Sequence, residues 1–177
     1  IPGEGTYTVA PDGTVTFVPE KSFTGTGTGV TVKRVDKNGT PVTAKYTPTV
    51  TPVTPKAEDA TSTDKQGQKQ SGKPTFTPGN SNVPMDDDVP ATFEDGSTTK
   101  TIPGEGTYTV APDGTVTFVP EKSFIGTGTG VTVKRVDKNG TPVTAKYTPT
   151  VTPVTPTGEP ATTIGPKGQE QSGKPVF

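Results

Sequence analysis

Five acidic residues in the middle of the chain form the best candidate for metal chemistry. Three aspartates occupy positions 86–88, and Glu94 and Asp95 follow shortly after. Carboxylate oxygens are the hard ligands that Ca²⁺ prefers. The regular Asp-x-Asp-x-Asp-Gly spacing of a calcium loop is absent, and Pro84 and Pro90 bracket the aspartates. A solvated acidic loop is therefore the favoured interpretation, with a calcium site as the alternative.

A second candidate is the glycine-rich segment Gly25-Thr26-Gly27-Thr28-Gly29, which recurs at 126–130. Glycine-rich loops cradle phosphate when Gly-Lys-Ser/Thr closes the loop and a helix follows. The segment lacks the Gly-Lys-Ser/Thr ending, and no helix is predicted after it. We therefore interpret the segment as a flexible start of a strand or as a bulge.

A small basic patch comprises Lys33, Arg34, Lys37 and Lys45. It could contact anionic glycans or a protein partner. A charged solvent face, which also guards a sheet edge against unwanted pairing, is the favoured interpretation.

Two segments match acceptor patterns for glycosylation. Asn-Gly-Thr at 38–40 and 139–141 fits the N-linked pattern, but a tight turn already accounts for Asn and Gly. The Thr-Pro tracts at 47–55 and 148–156 could carry O-linked sugars, although stiffness alone explains them. We predict no modification at these positions.

The composition removes several classes of chemistry. The 177 residues include no Cys, no His and no Trp. This excludes a disulfide, a Cys nucleophile, a Ser-His-Asp triad and the common zinc and iron–sulfur sites. A formal net charge of −1 argues against nucleic acid as a partner. No apolar run is long enough for membrane insertion.

A two-carboxylate hydrolase is the remaining enzymatic alternative. Its candidates, Glu4, Asp12, Glu20 and Asp36, lie in turns or beside proline, without a histidine or a tryptophan platform. We therefore predict that the protein is not an enzyme and has no catalytic, cofactor-binding or metal-binding residue.

An internal repeat dominates the organisation of the chain. Residues 1–55 recur as 102–156, with Thr24 against Ile125 as the single difference. The offset of 101 residues is the size of an independent domain rather than of a solenoid unit.

The second part of the repeat is more variable, because residues 56–76 align with 157–177 with ten differences. We predict the C-terminal part of one repeat at 1–56, a complete repeat at 57–156 and the N-terminal segment of the next repeat at 157–177. The chain would then be a piece of a longer tandem array.

Proline-rich segments are expected to join the repeats. Residues 47–55 alternate Thr or Val with Pro, which predicts an edge strand that fades into an extended linker. The variable residues 56–65 are predicted to form a joint.

The first half of each repeat predicts a hairpin around Pro-Asp-Gly at 11–13. A type I turn with the glycine in the left-handed region places Val9 opposite Val15 and Tyr7 opposite Phe17. The four large side chains then share one face, so the register is well specified.

A second hairpin surrounds Asp36-Lys37-Asn38-Gly39. A two-residue Asn-Gly loop would place Val32 opposite Lys45. A three-residue loop instead pairs Asp36 with Thr40, Val32 with Ala44 and Val30 with Tyr46, and we favour it because the faces match. Val35 is left on the wrong face.

Short strands are also predicted at 74–77, 90–93 and 98–102. Abundant Thr and Val favour strands, whereas the absence of Leu and the frequency of Gly and Pro disfavour helices. The predicted fold class is all-β, with tandem β-sandwich-like domains of about 101 residues joined by Thr/Pro-rich linkers.

Two segments carry a family resemblance. The first is Gly-Glu-Gly-Thr-Tyr-Thr-Val-x-Pro-Asp-Gly-Thr-Val-Thr-Phe followed by Phe-x-Gly-Thr-Gly-Thr-Gly-Val-Thr-Val, within 3–32. The second is Gln-Gly-Gln-x-Gln-Ser-Gly-Lys-Pro-x-Phe at 66–76, repeated with Lys in first position at 167–177. Together they resemble the CshA-type fibril repeat of streptococcal cell-surface fibrillar adhesins.

The resemblance implies a non-catalytic stalk repeat of an extracellular, cell-wall-anchored fibril. Its partners would be the neighbouring repeats, and a host-surface ligand would bind an adhesive tip outside these residues. A repeat that itself binds a host protein or glycan is the alternative. Wall-anchored adhesin domains also use intramolecular Lys–Asn amide crosslinks, but no residue set for one can be selected here.

One further expectation concerns self-association. Residues 1–56 lack the strand that the complete repeat has around 71–76, which leaves an uncovered apolar face, whereas 157–177 nearly repeats that sequence. We expect this segment to add a strand to the face and to link chains head to tail.

Overall fold

The computed structural model describes all 177 residues and contains strands but no helix. There is accordingly no helix that is long and apolar enough to cross a membrane. Residues 1–55 form six strands: β1 (Gly5–Val9), β2 (Val15–Pro19), β3 (Gly25–Thr26), β4 (Val30–Val35), β5 (Pro41–Tyr46) and β6 (Thr49–Val50). Residues 56–152 form eleven: β7 (Lys56–Glu58), β8 (Ala60–Lys65), β9 (Gln70–Gly72), β10 (Thr75–Thr77), β11 (Thr92–Phe93), β12 (Thr99–Ile102), β13 (Gly106–Val110), β14 (Val116–Pro120), β15 (Gly126–Thr127), β16 (Val131–Val136) and β17 (Pro142–Thr152).

The first hairpin has the predicted register in both copies. In β1–β2, Tyr7 lies opposite Phe17 and Val9 opposite Val15. Gly13 has a φ of +93° at the turn, a conformation that favours glycine. The local turn chemistry therefore sets the pairing.

The second hairpin has the predicted three-residue loop. Val133 lies opposite Ala145 and Val131 opposite Tyr147, and the Asp137 N–H donates to the Thr141 carbonyl at 3.1 Å. The first copy has the same register. Val136, the counterpart of the unexplained Val35, is half-buried, and its carbonyl accepts from the Asp86 N–H at 2.9 Å.

The complete repeat is a sandwich of two sheets, as the sequence predicted. One sheet has the order β11-β16-β17-β15, with β8 also paired to β17, and the other has the order β12-β13-β14-β9. A short β7–β10 pair completes the unit. The strands predicted at 74–77, 90–93 and 98–102 correspond to β10, β11 and β12.

The predicted joint at 56–65 is wrong, because these residues form β7 and β8. Strand β8 pairs in parallel with β17, from Ala60 opposite Tyr147 to Lys65 opposite Thr152. The first strands of the repeat therefore belong to its sheets rather than to a connection between domains.

The predicted edge strand is also wrong in the complete repeat, because β17 continues to Thr152 between β8 and β15. Pro149 lies inside this central strand. Its carbonyl accepts from the Gly128 N–H at 2.8 Å on the β15 side. Because backbone polar groups alternate along a strand, its missing N–H also belongs to that side, and the ladder to β8 loses no donor.

The core lies between the two sheets of the complete repeat. It consists of ten buried side chains: Ala91, Phe93, Tyr108, Val110, Val116, Phe118, Val131, Val133, Tyr147 and Val151. Residues 1–55 contain the counterparts of β13–β17 but not of β7–β12. Val110 is 7% exposed but its counterpart Val9 is 60% exposed, and Tyr147 is fully buried whereas Tyr46 is 37% exposed.

Residues 157–177 form no regular strand and are exposed. They fold back on themselves through an isolated antiparallel bridge between Glu159 and Val176.

Candidate functional site

The glycine-rich segment closes around a carboxylate of its own repeat. Glu105 Oε1 accepts from the Thr129 backbone N–H at 2.7 Å, and Oε2 accepts from the Thr129 hydroxyl at 2.7 Å. The Tyr108 hydroxyl donates to Oε1 and accepts from the Gly130 N–H at 3.2 Å. We term Glu105, Tyr108 and Thr129 the carboxylate brace. The glycine-rich segment therefore donates hydrogen bonds to a glutamate side chain of the same repeat and not to a phosphate.

Glycine is required where the segment approaches the brace. A Cβ at Gly128 would lie 2.6 Å from the Tyr108 hydroxyl oxygen and 2.8 Å from Glu105 Oε1. Gly130 has a φ of +76°, which L side chains rarely adopt. The alternation of Gly and Thr therefore provides close approach and, at Thr129, two donors.

The brace joins the two sheets of the sandwich. Tyr108 lies on β13 and Glu105 directly precedes it, whereas Thr129 lies between β15 and β16 of the other sheet. The first copy has the same contacts among Glu4, Tyr7 and Thr28. The brace is thus a feature of every copy present.

The electrostatics favour an ionised Glu4 in the first copy and a neutral tyrosine in both copies. Burial, followed by the hydrogen bond to Glu105, raises the pKa of Tyr108 above its ordinary value of 10.0. In the first copy, the hydrogen bond from Tyr7 is the main cause that lowers the pKa of Glu4. Because Tyr108 is fully buried and Glu105 is 7% exposed, the brace is closed to a substrate.

The acidic segment 86–88 is tied to the second hairpin. Asp86 Oδ1 lies 3.1 Å from Lys138 Nζ, and Asp87 Oδ1 lies 2.8 Å from Arg135 Nη2. These two cations are the counterparts of Arg34 and Lys37 in the predicted basic patch. In the complete repeat these two counterparts therefore pair with acids of their own repeat, whereas Arg34 and Lys37 themselves form no ion pair. The acidic loop is ion-paired rather than only solvated.

The remaining acidic residues lie in a different turn. Asp95 Oδ1 accepts from the Ser97 N–H at 2.9 Å and from its hydroxyl at 2.6 Å, while Glu94 makes no ion pair. No group of three acidic side chains is placed so that it could hold a metal ion. The carboxylates that suggested calcium are not brought together.

The predicted Asn-Gly-Thr turn is held by a buried aspartate. Asp137 is fully buried, and its Oδ1 accepts from the N–H groups of Asn139 and Thr141 at 2.9 Å each. The pairing of Asp137 with Thr141 was predicted, but this side-chain role was missed. Asp at the first position of a turn is the signal that indicates it.

Strands β8 and β9 share a polar junction with β17, the last strand of the repeat. Ser62 Oγ donates to Gln70 Oε1 at 2.6 Å and lies 2.6 Å from the Tyr147 hydroxyl. Gln70 Nε2 donates to the Thr150 carbonyl at 2.9 Å. We term β8, β9 and β17 the terminal-strand junction, because it fastens the N-terminal segment of the repeat to its last strand.

A family model supplies the decisive comparison. The model described as the surface adhesin CshA repetitive domain matches residues 1–50 and 52–151. The chain belongs to the CshA repeat family. The predicted resemblance is therefore confirmed, and this CshA repeat chain is part of an extracellular surface adhesin.

One solved structure similar to this CshA repeat chain is the NMR structure of repeat domain 13 of the fibrillar adhesin CshA from Streptococcus gordonii. The identity is 67%, with 40% of this chain and 90% of that chain covered, and the TM-score is 0.23. A TM-score at that level carries no argument about the fold. No curated protein matches the chain significantly.

Proposed function

We propose that this CshA repeat is a non-catalytic, load-bearing unit of the stalk of a wall-anchored fibril that projects an adhesive tip. The complete unit would be residues 57–156, and its partners would be the neighbouring repeats. The parallel pairing of β8 with β17 is the observation that carries the proposal.

The parallel pair β8–β17, which follows the short antiparallel β7–β10 pair along the chain, resists tension because of the direction of its strands. A pull on the N-terminal side of β8 and on the C-terminal side of β17 displaces the two strands in opposite directions along their common axis. All bonds of the six-residue ladder are then loaded together, whereas an antiparallel terminal pair would open one bond at a time.

The same pairing lets each repeat add length to the fibril. Because β8 and β17 run in one direction, the chain enters the ladder at one end and leaves it at the other. Strand β17 alone has 11 residues, which corresponds to about 36 Å at the usual rise per residue. Each repeat would therefore extend the fibril along the direction of load.

Single-molecule force spectroscopy on the full chain, held at its two ends, tests the proposal. The Gln66 N–H donates to the Thr152 carbonyl at 2.8 Å, so the N–H groups of even-numbered β8 residues face β17. Asp64→Pro removes one of these donors. Thr63→Pro is the matched control, because its N–H faces away from the ladder.

We expect Asp64→Pro to lower the unfolding force of the complete repeat and Thr63→Pro to change it little. Residues 1–55, which lack this pairing, should extend at lower force than the complete repeat. Equal forces for the original chain and both variants would refute the load-bearing role.

A further inference from the structure

We infer that Gln68 is an acyl-donor site, at which a transamidating enzyme joins the repeat covalently to a lysine side chain of another protein molecule. The site lies in the turn between β8 and β9, within the glutamine-rich motif that the stalk function leaves without a role. The inference goes beyond the load-bearing proposal, because it concerns a bond to a different molecule rather than the pairing of β8 with β17.

The glutamines of the 177 residues are confined to this motif and its second copy, at 66–70 and 169–171. Gln70 is buried, and both polar atoms of its amide are hydrogen-bonded within the terminal-strand junction. Gln66 Nε2 donates to a backbone carbonyl at 2.8 Å, and its Oε1 accepts from a backbone N–H at 3.3 Å. These two glutamines therefore have structural roles.

The third glutamine of the complete repeat has no such role. The side chain of Gln68 is exposed and makes no hydrogen bond, in contrast to Gln66 and Gln70. Its backbone N–H donates to the Lys65 carbonyl at 3.1 Å. The turn thus fixes the backbone and leaves the carboxamide in solvent, where another protein can reach it.

Gln68 is retained in the part of the repeat where the two copies diverge most. Of the positions 62–69, only Gly67 and Gln68 are identical to their counterparts 101 residues later. Gly67 has a φ of +80°, which favours glycine and explains its retention. Gln66 has a structural role, yet its counterpart is Lys167. The retention of an unbonded, exposed side chain in such a stretch indicates a role outside the domain.

A primary carboxamide can form a new amide bond without any change of oxidation state. The cysteine thiol of a transamidating enzyme attacks Cδ of Gln68, a thioester forms, and the amide nitrogen takes up the thiol proton and leaves as ammonia. The uncharged Nζ of a lysine then attacks the thioester. An amide bond to Gln68 forms, the proton returns to the sulfur, and the enzyme is released.

The bond would suit a stalk that is held under tension. Noncovalent contacts between proteins dissociate within milliseconds to days, whereas an amide bond persists. The 177 residues contain no cysteine, so they offer no disulfide to a neighbouring molecule. The site also recurs along the chain, because Gln169 lies in the same kind of turn, with its N–H donating to the Pro166 carbonyl at 3.2 Å.

Incorporation of monodansylcadaverine into the folded full chain by a purified transglutaminase tests the inference. This fluorescent primary amine takes the place of the lysine, and each incorporation adds its mass less that of one ammonia. We expect peptide mapping by mass spectrometry to place the probe on Gln68 and Gln169. Gln66 and Gln70 should take up at least about tenfold less, because hydrogen bonds hold their amides away from the reacting geometry.

Two variants complete the test. Gln68→Asn shortens the side chain by one methylene group and should lower incorporation at position 68 at least about tenfold. Lys69→Glu is the matched control, because it introduces the residue that follows Gln169 in the other copy; it should change incorporation less than about twofold. Circular dichroism checks that both variants remain folded.

The inference is overturned if the folded chain takes up no probe, or if Gln66 or Gln70 is labelled as strongly as Gln68. Unchanged incorporation at position 68 in Gln68→Asn would have the same meaning. None of these results depends on the unfolding force of the β8–β17 pair, so the acyl-donor site and the load-bearing role can fail separately.

Discussion

Replacement of Glu105 by glutamine tests whether the carboxylate brace holds the two sheets together. The change keeps the length of the side chain but replaces one carboxylate oxygen by an NH₂ group. Glu105 accepts three hydrogen bonds, two from Thr129 and one from Tyr108. An amide has one acceptor atom, so at least one of these donors would face another donor.

The magnitude follows from the loss of charge-assisted hydrogen bonds in a buried position. A hydrogen bond to a charged group contributes about 1.5–3 kcal/mol, and a buried donor without an acceptor costs about 1–3 kcal/mol. The Thr129 hydroxyl can rotate, which recovers part of the loss. We therefore expect Glu105→Gln to lower the free energy of unfolding by about 2 kcal/mol. For a domain of this size the midpoint of thermal unfolding should fall by about 8–16 °C.

Differential scanning calorimetry of the full chain measures this shift, and the first copy provides a matched control. Glu4→Gln makes the same chemical change in the same brace geometry, but outside the complete repeat. It should leave the main transition of residues 56–152 unchanged. A Glu105→Gln midpoint within about 2 °C of the original chain would refute the brace as a stabilising element, as would equal shifts for both variants.

Three further expectations concern burial and ionisation. Tyr147→Ala should lower the free energy of unfolding by about 3 kcal/mol or more, because the ring is fully buried; urea unfolding that shows a loss below about 1 kcal/mol would contradict the register. Burial raises the pKa of Tyr108 above 10.0, so the stability that this shift provides is complete below pH 10 and is lost as the pH rises further; phenolate absorbance should therefore appear together with unfolding, not before it. The hydrogen bond from Lys138 lowers the pKa of Asp86 below 3.8, so its contribution is present above that pH and is lost as the pH falls through the lowered pKa. Asp86→Asn should reduce the acid dependence of the urea midpoint, and an unchanged dependence would count against this ion pair.

The hairpins could be predicted because their determinants are local. Pro-Asp-Gly sets the first turn, and the matched faces of Val30 and Val32 against Tyr46 and Ala44 exclude the two-residue loop of the second hairpin. These patterns span few residues and need no knowledge of the rest of the chain.

The parallel pair β8–β17 could not be predicted in the same way, because its partners are distant and both carry misleading residues. Ala60 pairs with Tyr147, 87 positions later. Pro149 indicates an edge strand, and charged Asp64 and Lys65 indicate a solvated connection. The strand exists because the polar groups of Pro149 face β15 and because Ala60 packs against the core.

The carboxylate brace could not be predicted from the sequence. The alternation of Gly and Thr is interpreted there as a flexible start of a strand or as a bulge, and Glu4 is only a candidate of the disfavoured hydrolase alternative. Glu4 and Thr28 are 24 positions apart, and only the packing of the two sheets brings them together. Periodicity within a strand contains no information on that contact.

The distance between β8 and β17 along the chain also determines when a repeat can fold during synthesis. At about 5–20 residues per second, a ribosome needs about 4–17 s to extend the chain by the 87 positions from Ala60 to Tyr147. Throughout that interval β8 has emerged without its partner, while the preceding copy already offers β5 and β6, whose sequence is identical to that of β17. The copies differ at one position in 55 but at ten in the next 21, and four of these ten positions, 62–65, lie in β8. The divergence between residues 56–76 and 157–177 therefore gives each copy a sequence by which its β8 can be matched to its own β17 during translation.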